Sequence, residues 1–200
     1  MAKAKDNTLS TAQIGRCGEL LVQYALLLRG IESAPMMTDT GIDLVAYSSK
    51  TAIPHTIQVK TNLKAKPGGG RGKSAFDWWI PEDSPAQLVA LVDLSTARIW
   101  LFRHREVVKV AQQKSSGRLH FYMYTDATAR TKDPGRLAHV HQFESYRIEN
   151  SIRSLTNFTK AGHLDASNNY AERCMRPVAV GRKAFLFVGS ERAGHAAAIN

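Results

Sequence analysis

Three short runs of residues have types and spacings suited to chemistry on a phosphate diester. Gly41-Ile42-Asp43-Leu44 is followed fourteen residues on by Gln58-Val59-Lys60, and Gly15-x-x-Gly18-Glu19 comes earlier. In a strand, residues i and i+2 share a face, so Gln58 and Lys60 point the same way and pairing with the preceding strand brings Asp43 beside them. Glu19 falls on the flank of an amphipathic helix, which Gly15 and Gly18 let approach the sheet closely enough for Glu19 to join. Phosphodiester hydrolysis needs oxygen ligands for a hard divalent ion, an activated water and positive charge near the phosphorus. Asp43, the Gln58 side-chain oxygen and the Val59 carbonyl suit Mg2+ or Mn2+. Lys60 suits orientation of the water or neutralisation of developing charge. Each residue alone is more simply a solvent-facing or turn residue, so the reading rests on the set.

The elements that must position these residues are legible from periodicity. Ser10 with Gln13 three residues on forms a capping box, and Ile14, Cys17, Leu21, Tyr24, Ala25 and Leu28 recur at helical spacing until Gly30, predicting a helix from Thr11 to Arg29. Strand-type segments follow at Ile42 to Tyr47, His55 to Thr61, Phe76 to Ile80, Leu88 to Asp93 and Arg98 to Arg103, with Ser95-Thr96-Ala97 as a hairpin turn. His120 to Tyr124 adds a sixth, and a short helix is expected from Arg105 to Gln113. A helix followed by mostly hairpin-linked strands implies an α/β fold with a mixed sheet and helices packed against it.

Between Asn62 and Ala75 three successive glycines and Pro67 forbid a helix or central strand, which predicts a mobile basic loop. Its Lys64, Lys66, Arg71 and Lys73 directly follow the expected catalytic strand and suit backbone phosphates, against the plainer reading of a solvated loop. Trp78 and Trp79 are adjacent, so one is expected to face the core and the other a surface. Thr38-Asp39-Thr40-Gly41 reads as a turn, which leaves Asp39 out of the ligand set. His139-x-His141 puts two imidazoles on one strand face, but no third ligand of recognisable spacing accompanies them. A break from Thr125 to about Gly135 marks the candidate domain boundary, giving a domain over 1–125, a linker over 126–150 and a further segment over 151–200.

Together Glu19, Asp43, Gln58 and Lys60 resemble the signature of the PD-(D/E)xK nuclease superfamily, especially its homing-endonuclease and Holliday-junction-resolvase-like branches, over about Thr11 to Thr125. The resemblance implies a restriction-endonuclease-like fold and roles as acidic helper, two metal ligands and catalytic lysine, in that order. No proline precedes Asp43, and Gln58 stands where an acid is usual. A neutral amide holds a hard cation more weakly than a carboxylate, although glutamine also occurs in parts of the superfamily.

The last fifty residues carry a denser set of fixed offsets. Asn168-Asn169-Tyr170-Ala171-Glu172-Arg173, Arg176-Pro177, Gly181-Arg182-Lys183 and Gly189-Ser190 closely resemble the C-terminal part of insertion-sequence-66 transposases. That family is of the DDE type, in which two aspartates and a glutamate hold two metal ions, and Glu172 matches the glutamate. Ser167 stands where the family usually has an acid, and the chain has no room for the core that supplies both aspartates. One carboxylate cannot build a two-metal site, so Glu172 is expected to be a relic of the transposase motif. Arg173, Arg176, Arg182 and Lys183 are expected to bind phosphate or to form a solvated basic face of a small, mainly helical or irregular appendage.

Composition agrees with a polyanionic partner. The 200 residues hold 27 Lys and Arg against 17 Asp and Glu, a net charge of +10. Of that excess, +6 lies before Asn150 and +4 after it, so both parts are basic. The two cysteines, Cys17 and Cys174, lie in different segments with no Cys-x-x-Cys pairing, which argues against a disulfide framework or a cysteine-rich zinc site and fits a reducing cytoplasm. The first residues lack an apolar signal region, and runs such as Leu88 to Val92 are far too short to cross a bilayer. The expectation is a cytoplasmic, magnesium-dependent DNA endonuclease joined to a transposase remnant, with DNA as partner and a homodimer admitted as an assembly. Its competitors are a truncated transposase that binds DNA without cutting, and a basic RNA-binding or partner module.

Overall fold

A computed structural model describes residues 9–38, 40–48, 53–68, 72–131, 133 and 135–152. All of them belong to the first of two units into which the chain divides, Met1–Gly162 and His163–Asn200. The appendage expected over 151–200 therefore lies outside the described residues, apart from Ser151 and Ile152.

The first helix, α1 (Thr11–Leu27), begins where its capping box places it. Ser10 Oγ accepts from the Gln13 N–H at 3.3 Å, and Gln13 Oε1 accepts from the Ser10 N–H at 2.8 Å, so two amides that the helix leaves unpaired find partners. It ends two residues before the expected Arg29, and Gly30 turns the chain at φ 71°. Val22, Ala25 and Leu26 form its buried stripe.

Two sheets follow. β1 (Ile31–Pro35), β2 (Leu44–Ser48), β3 (Pro54–Asn62), β6 (Leu88–Asp93) and β7 (Arg98–Arg103) form a mixed sheet in the order β1-β2-β3-β6-β7. Its neighbours are antiparallel except β3 and β6, which pair in parallel from Ile57–Leu88 to Asn62–Asp93. Between those two strands the chain builds half of a second, antiparallel sheet, whose order is β4-β5-β9-β8: β4 (Lys66–Pro67), β5 (Ser74–Pro81), β9 (Arg118–Tyr124) and β8 (Gln113–Ser115). The short helix α2 (His104–Val110) lies between β7 and β8, one residue earlier than expected at its start and three at its end. At the β6–β7 turn the carboxylate of Asp93, wholly buried, accepts from the Ser95 N–H at 2.9 Å, the Ser95 hydroxyl at 2.6 Å and the Thr96 hydroxyl.

The alternation of strand residues sorts the core into two layers. Leu44, Ala46, Ile57, Val59, Leu88, Ala90 and Leu101 face α1, together with Ile148 and Ile152. Val89, Leu91, Trp100 and Phe102, from the other face of the mixed sheet, meet Phe76, Trp78, Ile80, Leu119, Phe121 and Met123 of the second sheet. The protein is thus mixed α/β, helix against sheet against sheet.

Two expectations change here. Residues 126–150 do not form a linker: Ala129, Ala138, Val140, Phe143 and Ile148 are buried, and a 3-10 helix (Val140–Tyr146) packs Val140 and Phe143 between the sheets. The run of Thr, Lys, Arg and Asp marks a surface loop, but the chain beyond it returns to the core. The basic loop also has structure at its base, where Lys66 and Pro67 pair with Ala75 and Ser74. Among the described residues no helix is long and apolar enough to cross a membrane.

Candidate active site and nucleic-acid interface

Asp43 sits just before β2, at a junction of three strands. Its N–H donates to Ile57 O at 2.9 Å, its carbonyl accepts from Met36 N–H at 2.9 Å, and its Oδ2 accepts from Val59 N–H at 2.6 Å. The β2–β3 register, extended one step beyond the Leu44–Ile57 pair, sets Asp43 opposite Gln58. The bond to Ile57 O is one residue out of that step, so the ladder breaks there and a carboxylate replaces a backbone acceptor. In extended backbone a residue's N–H and C=O point to the same edge. The Val59 carbonyl therefore points to the edge where its N–H meets Asp43.

Gln58 is 3% exposed, and its Oε1 is buried without a hydrogen-bond partner among the described residues. Such an orphan acceptor costs about 1–3 kcal/mol when nothing answers it. Gly41, at φ 79°, lets the backbone pass close by: a Cβ there would stand 3.2 Å from Pro85 Cδ and 3.9 Å from Gln58 Nε2. Lys60 shares the face of Gln58 by the two-residue period and is half-buried, and no hydrogen bond or ion pair to another described residue engages its ammonium. By register Asp43 stands opposite Gln58, and Lys60 follows Gln58 on the same face, so an anionic oxygen, an unanswered amide oxygen, a backbone carbonyl and an ammonium come from neighbouring positions midway along β3. This donor set fits a hard divalent cation.

Glu19 is not brought into that group by any hydrogen bond or ion pair; its carboxylate is bound by Arg16 at 2.7 Å. Helix α1 packs on the side of Ile57 and Val59, the face opposite to Gln58 and Lys60. Gly18 does permit the close approach expected of it, since a Cβ there would lie 1.9 Å from Thr61 Oγ1, but Gly15 has nothing within 4 Å and plays no part in it. Asp39 lies outside the described residues. His139 and His141 stack with ring centroids 5.5 Å apart, not on a strand but at the start of the 3-10 helix. His139 is engaged by Ala129 O at 2.8 Å, and no cluster of three or more His, Cys, Asp or Glu suited to a metal occurs among the described residues.

Of the basic residues, Lys64, Lys66 and Lys73 are exposed on the arm joining the two sheets, and Lys73 Nζ donates to Arg130 O at 3.0 Å. Arg71, Arg173, Arg176, Arg182, Lys183 and Glu172 lie outside the described residues. Trp78 and Trp79 divide as their alternation requires, 3% and 44% exposed.

Residues 96–196, half of the chain, match the model of the family described as Transposase IS66 family. The chain belongs to the IS66 transposase family. The match to that family begins well before Ser151 and takes in β7, α2, β8, β9 and the 3-10 helix, so the family's segment overlaps the first unit. Among solved structures, a bacterial homing endonuclease is similar at 12% identity and a TM-score of 0.49, over 78% of this chain and 100% of that one. No curated protein matches the chain.

Proposed function

We propose that this IS66-family chain is a DNA endonuclease of restriction-endonuclease-like type that hydrolyses phosphodiesters with Mg2+ or Mn2+, with a transposase-type segment as its C-terminal part. The observation that carries this reading is the buried Oε1 of Gln58, without a hydrogen-bond partner among the described residues and opposite Asp43 in the strand register, on the strand that also bears Lys60. Asp43, Gln58 and the Val59 carbonyl would hold the ion, which when bound supplies Lewis-acid polarisation of a phosphoryl oxygen and a more acidic water. Asp43 is itself fixed by the Val59 N–H, so its carboxylate is oriented before any ligand arrives. Lys60 holds the attacking water in line or neutralises charge gathering on the phosphoryl oxygens. Glu19 is a helper at most, because reaching the site would require it to leave Arg16.

DNA is the polyanion that fits a +10 chain of this family, and Lys64, Lys66, Arg71 and Lys73 supply phosphate contacts beside the cutting strand. A second reading, a transposase product that binds DNA without cutting, is favoured by one observation: the family match starts after Lys60 and leaves the whole candidate site outside it. Supercoiled plasmid separates the two. The endonuclease reading expects nicked circles with Mg2+ and none with a chelator, whereas a folded protein that binds plasmid but leaves it intact with both Mg2+ and Mn2+ belongs to the second.

A further inference from the structure

The second sheet turns one face to the core and the other to solvent, and a solvent face is ordinarily polar. Here its outward row on β9 reads Arg118, His120, Tyr122, Tyr124, at intervals of about 6.5–6.8 Å along the strand. Trp79, on the neighbouring β5, stacks on His120 with ring centroids 4.3 Å apart and planes 1° from parallel. The row continues from His120 to Tyr122 at 5.5 Å, from Tyr122 to Tyr124 at 5.3 Å and from Tyr124 to His139 at 5.8 Å.

Aromatic pairs across strands stabilise sheets, but that role accounts only for Trp79 and His120. Opposite Tyr122 stands Asp77, and opposite Tyr124 stands Ala75. The small and acidic partners form the floor of a cleft of about 340 Å³, which Tyr122, Tyr124, His120 and Lys66 also line. That volume is at the lower end of ligand sites, which run roughly 300–1,000 Å³. A cation stands at each end of the row: Lys66 is two pairings from Tyr124 through Ala75, and Arg118 is the first residue of β9. Neither has an ion-pair partner among the described residues.

We propose that the outer face of the second sheet is a stacking platform for unpaired bases of a DNA strand, with one base resting in the cleft against Tyr122 and Tyr124, another stacking on Trp79, and Lys66 and Arg118 meeting the phosphates at either end. This rests on the DNA-acting reading of the chain but not on cleavage, since the platform lies on a different sheet from Asp43, Gln58 and Lys60. Stacking suits single strands because every base offers a π-face, and it adds specificity for unpaired over paired DNA.

The test is a binding titration of the full chain in a metal chelator, where no cutting can occur, read by intrinsic tryptophan fluorescence. Trp78 and Trp100 are buried, so quenching by a bound base reports Trp79. Oligo-dT should quench it, and a duplex of the same length should not. Trp79→Ala and Tyr122→Ala should each weaken oligo-dT binding by roughly 5- to 150-fold, the change that corresponds to about 1–3 kcal/mol per stacked base, with duplex affinity unchanged. Both side chains sit on the solvent face, and retained emission from Trp78 and Trp100 checks that the variants are folded. Wild-type affinity in both variants, equal loss of duplex and single-strand binding, or tighter binding of oligo-U than of oligo-dT would each overturn the proposal. Absent plasmid nicking with oligo-dT binding intact would remove the endonuclease reading alone.

Discussion

At the scale of single residues the decisive group is Gln58. Its side-chain oxygen is one of several buried polar atoms without a hydrogen-bond partner among the described residues, and a cation ligand would answer it. An amide contributes a dipole where a carboxylate contributes a charge, so replacing Gln58 with Glu should strengthen the site for a hard ion. Gln58→Glu is expected to lower the Mg2+ concentration needed for half-maximal plasmid nicking, and Gln58→Leu, of similar size but without an oxygen, to abolish nicking while keeping the fold. Nicking by Gln58→Leu at the wild-type Mg2+ requirement would remove Gln58 from the ligand set. The faces of Lys60 and Asp43 were legible in the sequence because spacing along a strand fixes them, while their roles stay proposals. The partner of Glu19 was not legible, because a helix position one residue from the close approach at Gly18 does not say which face of the sheet the helix covers, and a local Arg16 competes for the carboxylate.

At the scale of elements the packing of α1 on the sheet turns on one hydrogen atom at Gly18. A methyl group there meets Thr61 Oγ1 at 1.9 Å and its carbons at 2.9 Å, so Gly18→Ala should destabilise the protein by roughly 1–3 kcal/mol in urea unfolding, as overpacking does. Gly15→Ala meets nothing within 4 Å and should stabilise it by up to about 1 kcal/mol through helix propensity. Equal effects at the two positions would show that the close approach does not exist. The basic arm makes a different prediction: neutralising Lys64, Lys66, Arg71 and Lys73 together should flatten the slope of log affinity for duplex DNA against log salt by about 0.9 for each phosphate no longer neutralised. An unchanged slope would return the arm to a solvated loop. The elements read from sequence are those with a strong period, α1, β2, β3, β5, β6, β7 and β9. The ones missed had no such signal: β1 pairs along the sheet edge with only partial burial, β4 is two exposed residues, and β8 is exposed throughout. The packed return of Val140 to Ile152 was hidden by the polar run before it, since composition reports where a chain reaches the surface and not where it goes next.

At the scale of the whole molecule, the two kinds of chemistry suggested by the chain have their residues in different places. Asp43, Gln58 and Lys60 lie in the first unit and precede the family-matched segment, whereas Glu172, which the sequence resemblance matches to the transposase glutamate, lies within that segment and outside the described residues. A DDE site needs two aspartates as well as the glutamate, and Glu172 is expected from the sequence to be a relic without them. If the chain nicks DNA, Asp43→Ala and Lys60→Ala should therefore each reduce the rate by orders of magnitude, because both act on the same transition state, and the double variant should be little worse than either single one. Glu172→Ala should nick at the wild-type rate. The measurement is the initial rate of plasmid nicking at saturating Mg2+, with circular dichroism confirming that each variant is folded. Loss of nicking in Glu172→Ala, with the fold intact and Asp43→Ala still active, would move the catalytic centre out of the mixed sheet and into the IS66 segment.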